Sequence, residues 1–351
     1  MIRVLIVEDS PVARTLLVGI LGSDPDISVV ATAVDGLQAI EMALKYKPDV
    51  ITMDLYMPRL GGVEAVRRIM TTNPIPTVVI SAGTDWGGTE FPFLALEAGA
   101  VAVCEKPLSP THRKYRAMAG RIVQTVKMAS EIKLVRRWKK SGDGMPGVEE
   151  HGRSWPTDMQ RMKVVAIGAS TGGPLALCEI LAGLSREFPM PILIVQHIAV
   201  GFLPGMVDWL SSTSGFPVKI ADEGEIILPG HAYIAPDGSH MEAGMAGRLH
   251  LRPCDFVDGL CPSVSVLFLS VARIYDRSSI GILLTGMGKD GAEGLLAMKE
   301  KGALTIAQDK ESSVIHGMPG EAIRLGAARF VYPPGRIAEM LNSIAAQRSE
   351  A

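Results

Sequence analysis

The chain has 351 residues but only four cysteines, 5% aromatic side chains, and no apolar run approaching the roughly 18 residues of a membrane-spanning helix. Each scarcity excludes something. Cys104, Cys178, Cys254 and Cys261 are widely spaced, and Cys254 with Cys261 misses the C-x2-4-C spacing of a zinc site. All four are therefore expected as buried or incidental thiols. No basic leader with a cleavage site precedes the first apolar strand, so the expectation is a cytoplasmic chain without membrane insertion. Aromatic residues are not interleaved with the basic ones, and no separate helix-turn-helix pattern is present, so no nucleic-acid partner is expected.

What is present is 47% apolar and 21% charged residues, the balance of an ordinary globular protein long enough for two domains. The net charge of -2 conceals a pattern. Lysine plus arginine against aspartate plus glutamate runs 8 to 13 over residues 1–109, 13 to 5 over 110–163, and 14 to 19 over 164–351. Two acidic blocks flank a basic connector, read as a solvated helix face plus a linker. Tyr115, Met118, Ile122, Val126 and Ala129 fall at helical spacing, and the segment from Ser141 to Pro156, with four glycines and two prolines, is too poor in apolar residues to build a core. The expected division is residues 1–125, a connector over 126–160, and residues 161–351.

Both halves alternate short apolar strands with helical patterns, which predicts α/β architecture with two doubly wound domains. The first half offers five strands, near Val4–Val7, Val29–Ala31, Val50–Met53, Thr77–Ile80 and Val101–Cys104, for a parallel sheet. The second offers strands near Val164–Ile167, Ile192–Val195, Ile280–Leu284, Ala303–Ala307 and Arg329–Val331 for a mostly parallel sheet. Shorter apolar stretches at Val218–Ala221, His231–Ala235 and Leu249–Leu251 are expected as a hairpin insertion or an antiparallel edge.

Carboxylates cluster where strands of the first half end. Glu8 and Asp9 follow strand one and Asp54 follows strand three, so three acids converge at the sheet edge where open α/β sheets bind ligands. Such a cluster repels itself unless a cation is present, and an all-oxygen site suits Mg²⁺. Ser81 after strand four and Lys106 after strand five add a hydroxyl and an ammonium of the kind a phosphoryl group needs. Through Val7-Glu8-Asp9-Ser10, Met53-Asp54-Leu55-Tyr56-Met57-Pro58, Ser81 and Lys106-Pro107, the first 125 residues resemble the receiver domain of two-component response regulators. The resemblance implies Asp54 as phospho-acceptor, Mg²⁺ on Glu8, Asp9, Asp54 and the backbone carbonyl of Tyr56, and phosphoryl contacts from Ser81 and Lys106. It also implies a histidine kinase as phosphodonor. Val103 departs from the pattern at the position of the usual switch aromatic, as does the segment Trp86 to Phe93.

In the second half, a buried strand runs into Gly168-Ala169-Ser170-Thr171-Gly172-Gly173-Pro174, which puts Ser170 at a strand-to-helix junction where helix N–H groups could stabilise a developing oxyanion. A serine nucleophile needs a base and an orienting acid. His197 directly follows the next strand, and Asp290 lies in the glycine-rich turn after Ile280–Leu284, where it serves equally well as an Asx-turn residue by spacing alone. A nucleotide-binding module is the rival reading, since such turns also cradle phosphates. The turn has neither the dinucleotide fingerprint nor a phosphate loop, and Gln196-His197 stands where a ribose-binding acid would be. A lipase-type hydrolase would order its residues serine, acid, histidine, not serine, histidine, aspartate.

These stretches, with Ala235-Pro236-Asp237-Gly238-Ser239-His240-Met241, Cys261-Pro262-Ser263-Val264, Thr285-Gly286-Met287-Gly288-Lys289-Asp290-Gly291 and His316-Gly317-Met318-Pro319, are similar to the catalytic domain of the CheB family of chemotaxis protein-glutamate methylesterases. The resemblance implies Ser170 as nucleophile, His197 as base, Asp290 as orienting acid, and the N–H groups of Thr171 and Met287 as the oxyanion hole. It implies demethylation of glutamate methyl esters on chemoreceptors, deamidation of receptor glutamines, no cofactor for the esterase reaction, and an unphosphorylated receiver that packs over the catalytic edge. A receiver controlling a noncatalytic binding domain is the alternative.

Overall fold

The computed structural model describes residues 1–81, 91–107, 109–112, 115–132, 161–255 and 260–349. The N-terminal domain runs β1 (Ile2–Val7), α1 (Pro11–Gly22), β2 (Ile27–Ala33), α2 (Gly36–Tyr46), β3 (Val50–Met53), α3 (Gly62–Thr72), β4 (Thr77–Ser81), α4 (Phe91–Glu97), β5 (Ala102–Glu105) and α5 (Tyr115–Glu131). Its five strands pair in parallel in the order β2-β1-β3-β4-β5. The chain steps outward from β1 to β2 and then returns to β3 on the other side of β1. That reversal opens a crevice at the carboxyl ends of β1 and β3, where the acids lie. Helix starts follow local chemistry: Asp35 accepts from the N–H groups of Leu37 and Gln38 to cap α2, and Pro11 opens α1 after Ser10.

The C-terminal domain runs β6 (Val164–Ala169), α6 (Gly173–Gly183), β7 (Ile192–Gln196), α7 (Leu203–Ser214), β8 (Val218–Ile220), β9 (Ala232–Ile234), β10 (Ser239–Ala243), β11 (Leu249–Pro253), α8 (Val264–Tyr275), β12 (Ser279–Leu283), α9 (Ala292–Glu300), β13 (Leu304–Gln308), α10 (Met318–Arg324), β14 (Phe330–Tyr332) and α11 (Pro334–Ser349). Seven strands form one sheet in the order β14-β13-β12-β6-β7-β9-β8. Every residue of β6, β7, β12 and β13 is buried, as expected for parallel strands covered by helices on both faces. Here the chain winds outward from β6 through β7 and returns to β12, so the second crevice lies between β6 and β12.

Two expectations are corrected. Val218–Ile220 and Ala232–Ile234 extend the main sheet as parallel edge strands, and the antiparallel hairpin pairs Ser239–Ala243 with Leu249–Pro253 instead. Short strands carry too little pattern to reveal their direction; it is set by the partner they find. Cys254 and Cys261 are also not separate thiols, because they are joined as a disulfide with a Cα–Cα distance of 5.8 Å. Helix α5 continues to Glu131. Of the connector expected over 126–160, residues 133–160 with the glycine-rich stretch lie outside the described residues, as does most of the segment Trp86 to Phe93.

The two domains touch. Helix α4 lies against α6 and α7. Phe93 stacks on Trp209 with ring centroids 5.6 Å apart, and the Trp209 Nε1–H donates to the Glu97 carboxylate at 2.7 Å.

Candidate active site

The turn after β6 and the turn after β12 are sewn together. Ser170 N–H donates to the carbonyl of Thr285 (3.0 Å), and the Thr285 hydroxyl reaches the carbonyl of Thr171 (3.0 Å). The approach requires glycine: a Cβ on Gly286 would stand 2.7 Å from the Ser170 Cβ and collide with the Met318 sulfur. Gly172, at φ +82°, turns the chain from the serine into α6. Ser170 thus sits on a tight strand-to-helix turn with glycines two residues before and after it, the spacing of a nucleophile elbow.

Strand β7 supplies the next element. His197 N–H donates to the carbonyl of Ala169 (2.9 Å), and the buried Gln196 amide donates to the carbonyls of both Ser170 (2.8 Å) and His197 (2.9 Å). The His197 Nε2 lies 3.0 Å from Asp290 Oδ2. Nδ1 is the ring nitrogen that Asp290 does not engage. Among the described residues no hydrogen bond joins the Ser170 hydroxyl to His197, which accords with the looser geometry common in unliganded sites.

Asp290 is held from three sides by the start of α8. It accepts from the Ser263 hydroxyl (2.9 Å), Val264 N–H (2.7 Å) and Ser265 N–H (3.0 Å). Burial acts to raise its pKa, but hydrogen bonding and charge from His197, with the Ser265 donors, outweigh it and hold the carboxyl well below its ordinary range. An imidazole braced by an ionised buried carboxylate beside a serine can run acyl transfer. The N–H groups of Thr171 and Met287 are not taken up by other hydrogen bonds among the described residues, and both residues border the same cavity as Ser170 and His197.

That cavity, about 280 Å³, lies between the domains. Phe93, Val103 and Arg121 of the N-terminal domain form its opposite wall. Val103, noted for its departure at the switch position, borders the same cavity as the serine turn.

The other crevice gathers the remaining predicted residues. Ligand oxygens of Glu8, Asp9 and Asp54 lie within 4.8 Å of one another. Lys106 Nζ pairs with Glu8 Oε2 and Asp54 Oδ2, both at 2.9 Å. Burial and then the Asp54 charge push the Glu8 pKa up to about 7, against the pull of Lys106. Glu8 Oε2, buried and paired with Lys106 by charge, accepts no hydrogen bond, so a hard divalent cation fits the donor set. Ser81 is buried at the end of β4, and Tyr56 is half-buried two residues beyond Asp54.

Sequence comparison finds a known family over each half of the chain. A response regulator receiver domain matches residues 4–115, and a CheB methylesterase domain matches residues 165–341. A protein-glutamate methylesterase/protein-glutamine glutaminase of Nitrosospira multiformis is 49% identical, covering 100% of this chain and 99% of its own length. One from Syntrophus aciditrophicus is 51% identical over 98% of this chain and 99% of its own. The chain belongs to this methylesterase/glutaminase family. A crystal structure of the Thermotoga maritima CheB methylesterase catalytic domain superposes with a TM-score of 0.50 at 40% identity, covering 52% of this chain and 98% of that one. The parts of this methylesterase-family site that sequence reasoning did not assign are Gln196, Ser263 and Ser265, which act on backbone or on Asp290. Gln196 and Ser263 stand within quoted stretches that gave them no role of their own, and Ser265 shows in the sequence only as a polar residue near a helix start.

Proposed function

We propose that the chain is a phosphorylation-regulated hydrolase that removes methyl groups from glutamate methyl esters of chemoreceptors and deamidates receptor glutamines. The observation that carries this is His197 braced by Asp290 on one cavity with Ser170. Ser170 Oγ attacks the ester carbonyl while His197 Nδ1 takes its proton. Asp290, ionised and fixed by α8, stabilises the imidazolium through Nε2. The N–H groups of Thr171 and Met287 receive the oxyanion. His197 then gives that proton to the methoxy oxygen leaving as methanol, or to the glutamine nitrogen leaving as ammonia, and activates the water that releases the acyl group from Ser170.

The regulatory half of the reading assigns Asp54 as phospho-acceptor, with a histidine kinase as donor. Glu8, Asp9, Asp54 and the Tyr56 carbonyl would hold Mg²⁺, which supplies charge neutralisation for the phosphoryl group. Ser81 and Lys106 contact that group's oxygens. Residues 1–125 are the receiver, 126–160 the connector and 161–351 the catalytic domain, in the cytoplasm where receptor methylation sites are reached. Among the described residues no helix is long and apolar enough to cross a membrane. The receiver wall over the serine cavity supports repression in the unphosphorylated state.

The test is methanol release from methylated receptor membranes with and without acetyl phosphate, alongside fluorophosphonate labelling mapped to Ser170. Release that rises with phosphodonor is expected. Absence of both release and labelling would overturn the assignment.

A further inference from the structure

The disulfide lies next to the groups that fix Asp290. Cys261 is separated from Ser263 by one proline, and Ser263, Val264 and Ser265 are the three residues that donate to the Asp290 carboxylate. At the other end, Cys254 follows Pro253, the last residue of β11. The bond therefore ties the end of the β10–β11 hairpin to the start of α8.

A second tie spans the same two points. Ser263 N–H donates to His240 Nδ1 at 3.1 Å, so the ring hydrogen is on Nε2, which lies 3.1 Å from the carbonyl of Asp255. His240, fully buried on β10, thus bridges the residue after Cys254 to the residue that hydrogen-bonds Asp290. With the disulfide closed, the α8 start is held by both ties. With it open, the imidazole bridge is the one of these two ties that remains, beside the bond from Gly291 N–H to the Ser265 hydroxyl at 2.8 Å.

We propose that Cys254 and Cys261 are a redox-sensitive tether that fixes the Ser263–Ser265 segment on Asp290, so that oxidation raises and reduction lowers turnover at Ser170. The proposal rests on the reading of Ser170, His197 and Asp290 as the hydrolytic set. The oxidant is a low-molecular-weight disulfide such as oxidised glutathione. One protein thiolate attacks it and expels one small thiol, then the second protein thiolate displaces the other from the mixed disulfide. Two protein thiols and one small disulfide become one protein disulfide and two small thiols, and a dithiol reductant reverses the exchange. Disulfides in a reducing compartment are commonly of this transient, sensing kind.

The other cysteines do not compete. Cys104 is buried, and burial raises its pKa; Cys178 is pushed up to about 11 by burial and then by the charges of Glu97 and Glu179. Cys254 and Cys261 are each half-buried, open to a small reagent.

The experiment poises the full-length protein in reduced or oxidised glutathione, maps the state of Cys254 and Cys261 by differential alkylation, and measures ester hydrolysis with phosphodonor present. The exchange with water of the His197 ring proton that meets Asp290 is followed by NMR in both states. Oxidised protein should have a kcat about tenfold higher with KM little changed, a small part of the ~10⁴ that an orienting acid is worth. Its ring proton should exchange more slowly, because a fixed Asp290 keeps that hydrogen bond closed. The Cys254→Ser/Cys261→Ser double variant should behave as reduced protein in both buffers. Equal kcat and equal exchange of the ring proton in the two states would overturn the tether, as would failure of the pair to form under oxidised glutathione. A chain with no esterase activity in either state would instead sink the hydrolytic reading, and the ring-proton exchange would still decide the tether.

Discussion

Trp209→Phe should release the closed arrangement of the two domains. Phenylalanine can still stack on Phe93, and the change removes the Nε1–H that donates to Glu97 at 2.7 Å together with part of a buried ring. A hydrogen bond to a charged acceptor contributes about 1.5–3 kcal/mol net. Glu97 is exposed and stays hydrated on opening, so about 1–2 kcal/mol is the better figure here. If the unphosphorylated rate comes from a minor open population, that loss multiplies the population and the basal rate roughly 5- to 30-fold. The rate with phosphodonor, where opening is already favoured, should change less than about twofold by the same argument. Glu97→Ala attacks the contact from the other domain and should raise the basal rate similarly. The double variant should add little to Glu97→Ala, since Glu97 also takes only a long 3.4 Å bond from the Thr213 hydroxyl and both changes remove the Trp209 bond. The assay is ester hydrolysis with and without acetyl phosphate, with thermal unfolding to confirm that each variant is folded. A folded Trp209→Phe protein with a wild-type basal rate would refute the reasoning, and so would an equal rise in both states.

Ser170→Ala removes the attacking oxygen within a turn that accepts a small side chain, and methanol release should fall about 10⁴-fold or more with unfolding unchanged. Asp54→Asn should abolish the gain from acetyl phosphate and Mg²⁺ while basal hydrolysis persists; a full response would mean that another residue is phosphorylated. Gly286→Ala places a methyl against Ser170 and Met318, so fluorophosphonate labelling of Ser170 should drop even where far-ultraviolet circular dichroism is unchanged. Asp290 is held below its ordinary value of 3.8, so its contribution to stability is complete above that pH and is lost as the pH falls through the folded value. Urea unfolding between pH 2 and 6 should therefore show a shallower acid loss for Asp290→Asn than for wild type, and parallel curves would argue against the ionised, hydrogen-bonded carboxylate.

Much of this protein is written locally. The buried strands, the proline and glycine punctuation and the acids at strand ends follow from side-chain burial and turn geometry over a few residues, which is why both parallel sheets and the order of Ser170, His197 and Asp290 could be read in advance. Spacing alone left Asp290 divided between a turn residue and a partner for His197. The fold places it 3.0 Å from that imidazole and under the N-terminus of α8. The same holds for the parallel course of Val218–Ile220, the pairing of Cys254 with Cys261, and the Glu97–Trp209 contact between domains. Each depends on which distant segment arrives alongside, and that is decided by the winding of the whole sheet and the packing of helices upon it. Periodicity specifies which face of an element is buried, but the partner across that face is a property of the tertiary structure alone.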